Sequence, residues 1–192
     1  PTPCATRPRA ASWRGTVTNW TFGVGASTFT NGHVYQIKTR AYDVAGTTAT
    51  ASGYNEVTCD NTNPAGTLVY PAANGRYGGS GNTLTTITGG SSDTSPGVVN
   101  KMYVNIKKGG NWYQGTSGSW AANDTWLLAT SVNPWNYTLT ASSDVFDNDN
   151  SYEIKVQAKD KADNTADTSA ATVYYDTVKA TSTIWYPLGS NY

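Results

Sequence analysis

Apolar and polar residues alternate along several segments of this chain, most clearly in its last third. Tyr152, Ile154, Val156 and Ala158 are separated by charged or amide side chains. A period of two puts successive side chains on opposite faces of a β-strand. The pattern therefore predicts a half-buried antiparallel strand whose apolar face packs on a second sheet. The segment 101–106 alternates in the same way and predicts a further strand.

Short clusters rich in glycine and asparagine separate these segments. Asn74-Gly75, Gly89-Gly90 and Gly109-Gly110 are each predicted to be turns, because such pairs adopt turn conformations readily. No segment carries an apolar stripe with helical spacing. Roughly seven short strands with a turn every 8–12 residues are typical of an immunoglobulin-like sandwich. The predicted fold class is therefore all-β, built from antiparallel β-sandwiches.

The chain also repeats itself at an offset of about 116 residues, which is 117 for the matches up to Asp43 and 116 for the match of Asp60. The matching pairs are Tyr35 with Tyr152, Ile37 with Ile154, Ala41 with Ala158, Asp43 with Asp160, and Asp60 with Asp176. The one-residue change in offset is what a loop tolerates and a strand does not. A unit of this length is close to the ~100 residues of an immunoglobulin-like domain.

The repeat predicts three parts in a tandem arrangement. Residues 1–60 form an incomplete immunoglobulin-like repeat that matches the C-terminal half of a unit, and within them residues 1–12 match nothing. Residues 61–176 form one complete sandwich. Residues 177–192 are the opening strand of a further repeat, because Trp185-Tyr186-Pro187 matches Val69-Tyr70-Pro71.

The repeated motif resembles a known family. Tyr-x-Ile-x-(Val/Thr)-x-Ala-x-Asp-x-Ala, a strand ending in Asp, and Asp93 followed by Gly97-Val98-Val99 resemble the bacterial immunoglobulin-like repeats of large surface adhesins and secreted multidomain proteins. The resemblance implies an extracellular protein, on the cell surface or secreted. It implies a structural or adhesive repeat that acts as a spacer or interaction module, with neighbouring repeats or copies of itself as partners.

The recurring aspartates are the candidate metal ligands. Asp43 recurs as Asp160, and Asp60 recurs as Asp176. The resemblance implies Ca²⁺ at such junctions, and hard oxygen ligands from loops suit that ion. The alternative is that these aspartates only cap turns through hydrogen bonds to the backbone. The sequence leaves both interpretations open.

Tryptophans divide into those that recur and those that do not. Trp20 with Trp135, and Trp13 with Trp126, recur and are predicted to lie in the core. The aromatic residues without a counterpart are Trp112, Tyr113 and Trp120. They are candidates for a glycan-binding surface, which would make the chain a carbohydrate-binding module of a secreted enzyme. The alternative is that they pack over a loop.

Charge and reactive residues exclude several functions. Thirteen basic and thirteen acidic residues give a net charge of zero, which argues against nucleic-acid binding. No apolar run reaches the ~18 residues of a membrane span. His33 is predicted to be a solvated turn residue, because Asn150 takes its place in the second copy. No catalytic constellation is present, and we expect no enzyme activity.

The two cysteines and the C-terminal segment lead to two further expectations. Cys4 and Cys59 are the two cysteines and form either one disulfide or two free thiols. The segment 182–187 could complete the open sandwich of the next subunit, which would make the chain a subunit of a strand-exchanged extracellular fibre.

Overall fold

The structure is a computed structural model that describes residues 13–15, 20–23, 29–50, 53–116, 118–139 and 145–185. The predictions for residues 1–12, and for the segment 182–187 beyond residue 185, lie outside these ranges. The strands of the described chain are β1 (Trp13–Gly15), β2 (Trp20–Phe22), β3 (Val34–Ile37), β4 (Arg40–Tyr42), β5 (Thr48–Thr50), β6 (Asn55–Thr58), β7 (Ala65–Tyr70), β8 (Arg76–Tyr77), β9 (Thr86–Ser92), β10 (Val99–Lys108), β11 (Asn111–Tyr113), β12 (Trp120–Ala121), β13 (Leu127–Leu128), β14 (Trp135–Thr138), β15 (Asn150–Asp160), β16 (Thr165–Asp167) and β17 (Ala171–Tyr175).

Two sheets form a sandwich between residues 65 and 175. The larger has the order β12-β11-β10-β15-β17-β8, with β13 paired to β10 and β16 paired to β15. The smaller has the order β14-β9-β7. The pairings are antiparallel except that of β17 with β8. The predicted all-β class of immunoglobulin-like sandwiches is confirmed.

The core depends on the register between β10 and β15. Val104 lies opposite Val156, and Ile106 lies opposite Ile154. All four side chains are 0% exposed, because the period of two turns them toward the smaller sheet. Burying a side chain of this size stabilises the fold by roughly 1.5–3 kcal/mol.

Trp135 of β14 fills the centre of the sandwich and explains one wrong prediction. Gly89 and Gly90 form no turn but lie inside β9, where Gly89 is paired with Trp135. A Cβ atom on Gly89 would lie 2.5 Å from the Trp135 ring, and the Trp135 indole N–H donates to the carbonyl of Gly90 at 2.9 Å. Gly89 therefore makes room for an indole, and the residue type alone does not distinguish that role from a turn.

The two copies share equivalent hydrogen bonds to their matched tyrosines. The backbone N–H of Thr30 donates to the Tyr35 hydroxyl, and that of Asp147 donates to the Tyr152 hydroxyl, both at 2.6 Å. Tyr35 lies opposite Val57 of β6, and Tyr152 lies opposite Val173 of β17. The sequence match therefore reflects equivalent local structure. The division into domains itself stays a prediction.

The strands of the first copy, unlike those of the second, have no second sheet packed on them among the described residues. Among the described residues, β3 pairs only with β6, and β4 only with β5. Ile37 is 46% exposed, whereas its counterpart Ile154 is 0% exposed. The described first copy thus has local strand pairs but no facing sheet.

We expect Trp135→Ala to lower the free energy of unfolding by about 3–5 kcal/mol, because it leaves a large cavity between the sheets. Trp185→Ala is the control, since this side chain is 84% exposed, and its effect should stay within about 0.5 kcal/mol. Denaturant unfolding followed by circular dichroism measures both. Equal effects of the two changes would contradict this account of the core.

Stability should also fall in strong alkali because of Tyr152. Burial raises the pKa of its hydroxyl from 10.0 to about 12, so the folded state favours the neutral phenol. This contribution is present below pH 10 and is lost as the pH rises toward 12. In Tyr152→Phe the drop in melting temperature between these pH values should shrink. Tyr42→Phe is the control, because Tyr42 is 67% exposed, and it should leave the drop unchanged.

Candidate metal centre

Three carboxylates meet where the segment after β6 enters the complete sandwich. Asp60 precedes β7, Asp93 follows β9, and Asp160 ends β15. One oxygen of each lies within 4.8 Å of the others. Three parts of the chain that are distant in sequence thus direct acidic side chains to one point.

Asp160 is the most deeply buried of the three, at 0% exposure. Its Oδ1 accepts from the backbone N–H of Asn164 at 2.8 Å, and its Oδ2 accepts from the Asn164 side-chain amide at 2.7 Å. The backbone N–H of Asp160 donates to the carbonyl of Asn164 at 3.1 Å. This turn fixes the carboxylate, because both its oxygens are held by one residue.

Asp60 is 7% exposed and belongs to the linker between the copies. Its Oδ1 accepts from the backbone N–H of Thr62 at 3.1 Å and from the Thr62 hydroxyl at 2.6 Å. The Asn164 amide also donates to the backbone carbonyl of Asp60 at 3.3 Å. Asn164 therefore ties the linker to the turn that holds Asp160.

Asp93 has the least satisfied carboxylate. Its Oδ1 accepts from the backbone N–H of Thr94 at 2.9 Å, while its buried Oδ2 has no hydrogen-bond partner among the described residues. Burial raises the pKa of Asp93, and the nearby Asp60 and Asp160 raise it further. A buried oxygen acceptor without a donor is costly unless a cation or water satisfies it.

Gly97 leaves the space that the Asp93 carboxylate occupies. A Cβ atom on Gly97 would lie 2.5 Å from the Asp93 Cγ and 2.6 Å from its Oδ1. Any side chain there would push the carboxylate aside. The sequence Asp93-Thr-Ser-Pro-Gly97 is thus adapted to hold this carboxylate against the backbone.

The electrostatics of the three carboxylates favour a bound cation. Among the described residues, none of them forms an ion pair with a lysine or arginine. Two unit charges at 4.8 Å repel by roughly 3 kcal/mol at an effective dielectric constant of about 20. An all-oxygen donor set with backbone support suits a hard divalent ion such as Ca²⁺, which takes 6–8 oxygen ligands. The residues present therefore fit that ion.

The structure brings together two of the four predicted metal ligands. Asp60 and Asp160 lie in the cluster, whereas Asp43 and Asp176 do not. Asp43 accepts from the backbone N–H of Thr47 at 2.7 Å, and Asp176 accepts from that of Val178 at 2.8 Å. Asp93 was not predicted as a ligand, although its place before a glycine and a buried strand was a usable signal.

The predicted aromatic surface requires correction. Tyr113 is 0% exposed and Trp120 packs on it, with ring centroids 5.6 Å apart. Tyr113 belongs to the core and presents no face to a glycan, whereas Trp120 is partly exposed at the margin of the core. Trp112 is partly exposed. Trp126, predicted to be core, also lies outside the buried cluster, because its neighbours Leu127 and Ala129 take the inward positions.

Two further predictions concern single residues. Cys59 is 1% exposed and disulfide-bonded. Cys4 lies outside the described residues, so the Cys4–Cys59 pairing stays a prediction. His33 is exposed in a turn, where its Nδ1 lies 3.2 Å from the carbonyl of Asn31.

Comparison with known proteins yields structural likeness but no sequence family. No protein-family description matches the sequence, and no curated protein sequence matches it. The chain is similar to a solved structure of the fibronectin(III)-like modules of Clostridium thermocellum CbhA, at 19% identity and a TM-score of 0.48. The match covers 84% of this chain and 70% of that one. In the described part of the chain, no helix has the length and apolar character needed to cross a membrane.

Adding Ca²⁺ should raise the melting temperature, and Gly97→Ala should abolish most of that rise by displacing the Asp93 carboxylate. At 100 times the dissociation constant the ion should stabilise the fold by about 2.7 kcal/mol. Gly110→Ala is the matched control, because nothing lies within 4 Å of its added Cβ. Thermal melts with Ca²⁺ and with chelator measure the effect. An equal rise in both variants would show that the cluster does not bind the ion.

Proposed function

We propose that this chain is a structural spacer of an extracellular surface or secreted protein, in which Ca²⁺ fixes the junction between immunoglobulin-like units. The observation that carries the proposal is the meeting of Asp60, from the linker, with Asp93 and Asp160, from the sandwich that follows. A cation held by all three would join linker to sandwich directly.

The physical effect of such a cation is to remove freedom from the linker. Without the cation, two links join Asp60 to the sandwich. One is the hydrogen bond that the Asn164 amide donates to the Asp60 backbone carbonyl at 3.3 Å, and the other is the covalent chain. Fixing the backbone of one residue costs roughly 1–2 kcal/mol of conformational entropy, and binding of the ion would offset that cost over several residues. A stiff junction transmits orientation from one unit to the next.

The linker is built in the same way at both ends of the complete unit. The backbone N–H of Asn61 donates to Asn31 Oδ1 at 2.7 Å, and that of Thr177 donates to Asn148 Oδ1 at 2.6 Å. Asp60 and Asp176 each accept from the backbone N–H two residues later. A longer array of such units would therefore repeat at least two of the three carboxylates at every junction.

Asp43 and Asp176 are the counterparts of Asp160 and Asp60 in the repeat. Asp43 and Thr47 form the turn that Asp160 and Asn164 form in the next copy. Asp43 would thus hold the ion at the junction before the first copy, and Asp176 at the junction after the second. The disulfide at Cys59, beside Asp60, suits an oxidising compartment outside the cytosol.

Hydrogen exchange of the linker amides tests the proposal. Ca²⁺ should slow exchange at residues 61–63, and Asp60→Asn should remove the slowing while keeping the oxygen that accepts from Thr62. Asp176→Asn is the matched control, because Asp176 makes the same turn outside the cluster. Mass spectrometry of peptic peptides measures both.

Two results would contradict the proposal. Unchanged exchange on adding Ca²⁺ would mean that the ion does not order the linker. Slowing that persists in Asp60→Asn would mean that the ion binds without the linker, and the cluster would then have no role at the junction.

A further inference from the structure

A polar groove lies on the outer face of the larger sheet and shares no residue with the three-carboxylate cluster. It has a volume of about 130 Å³. Six of the residues that line it are Trp112, Trp126, Asp124, Glu153, Lys155 and Asp167. Glu153 and Lys155 face outward because they alternate with the buried Ile154 along β15.

The two tryptophans of this groove are unusual because the core does not use them. Both are partly exposed, and neither belongs to the buried cluster. Their indole N–H groups donate no hydrogen bond to any described residue. Large aromatic side chains with an unused donor, brought together in a concave polar site, are typical of ligand contacts.

Hydrogen bonds fix the two aspartates at the rim of the groove. Asn105 is 3% exposed, and its amide donates to Asp124 Oδ1 at 2.6 Å and to the carbonyl of Thr125 at 2.9 Å. On the opposite rim, the Gln157 amide donates to Asp167 Oδ1 at 2.8 Å. Both carboxylates are therefore positioned in advance, which lowers the entropy cost of binding.

The two rings differ in what already lies over them. Lys107 Nζ lies 5.3 Å from the ring centroid of Trp112 and 3.6 Å from Glu153 Oε2. Within the described chain, no cation or aromatic ring lies over Trp126. The ring face of Trp126 is therefore open for a ligand to stack on, while Trp112 and Lys107 form one side of the groove.

We propose that this groove binds one pyranose ring of a saccharide, which would give the spacer an adhesive role. A pyranose has an apolar C–H face that can pack on Trp126 and a rim of hydroxyls that both donate and accept. Asp124 and Asp167 accept from hydroxyls, and Lys155 donates to them. The volume is below the roughly 300–1,000 Å³ of sites for drug-sized ligands, so it suits a single ring. Three carboxylates against two lysines disfavour an anion.

The experiment is a binding survey of the full chain. A glycan array is followed by isothermal titration with cellotetraose, xylotetraose, mannotetraose and chitotetraose, first in chelator and then in Ca²⁺. We expect at least one neutral saccharide to bind, with a dissociation constant of about 1 mM or lower. Trp126→Ala should weaken binding about tenfold or more, and Asp124→Asn should weaken it while preserving the Asn105 contact.

The controls separate loss of binding from loss of fold. Trp185→Ala removes a tryptophan that is 84% exposed and outside the groove, so it should bind like the unmodified chain. Thermal melts of each variant confirm folding, and Trp126→Phe retains an aromatic face should Trp126→Ala unfold.

No binding of any glycan overturns the proposal, as does binding that Trp126→Ala and Trp126→Phe both leave unchanged. Binding of choline but no saccharide assigns the groove to organic cations and also overturns it. Binding in chelator distinguishes this site from the calcium junction.

Discussion

The antiparallel pairing of β10 with β15 positions both candidate sites as well as the core. Opposing valines and isoleucines fill the interior at one face, and the period of two then sends Glu153 and Lys155 to the other face, where they line the groove. At the end of the pair, Val99 lies opposite Asp160, and the register shifts between Val99 and Lys101. The backbone N–H of Lys161 donates to the carbonyl of Val98 at 3.0 Å, which keeps Asp160 beside the loop that carries Asp93.

The carboxylate cluster and the groove have different relations to the repeat. Asp60 and Asp160 of the cluster have the counterparts Asp176 and Asp43, and the turns that hold them recur as well. The groove, in contrast, lies on the outer face of the larger sheet, away from these repeated turns. A sandwich can carry a binding function on such a face, because the outer face of a sheet changes without disturbing the core.

Much of the fold could be predicted because β-structure leaves a local periodic signal. Alternation in β15 predicted the inward residues correctly, and the offset between the copies matched Tyr35 with Tyr152, whose hydroxyls accept equivalent hydrogen bonds in the structure. The errors arose where a distant residue decides the local structure. Gly89 lies within a strand because Trp135 packs on it, and Tyr113 is buried because β11 turns it into the core, where it packs on Trp120.

The sequence by itself determined the strand pattern, the repeat and the kind of side chain at each junction, since these depend on residue type and spacing alone. Only the tertiary structure decided which acidic residues meet. Asp60, Asp93 and Asp160 are separated by 33 and 67 residues, and only the closure of the two sheets brings their oxygens within 4.8 Å. Likewise, the inward or outward turn of Trp126 and Trp112 follows from which neighbours fill the core, which is a property of packing rather than of sequence.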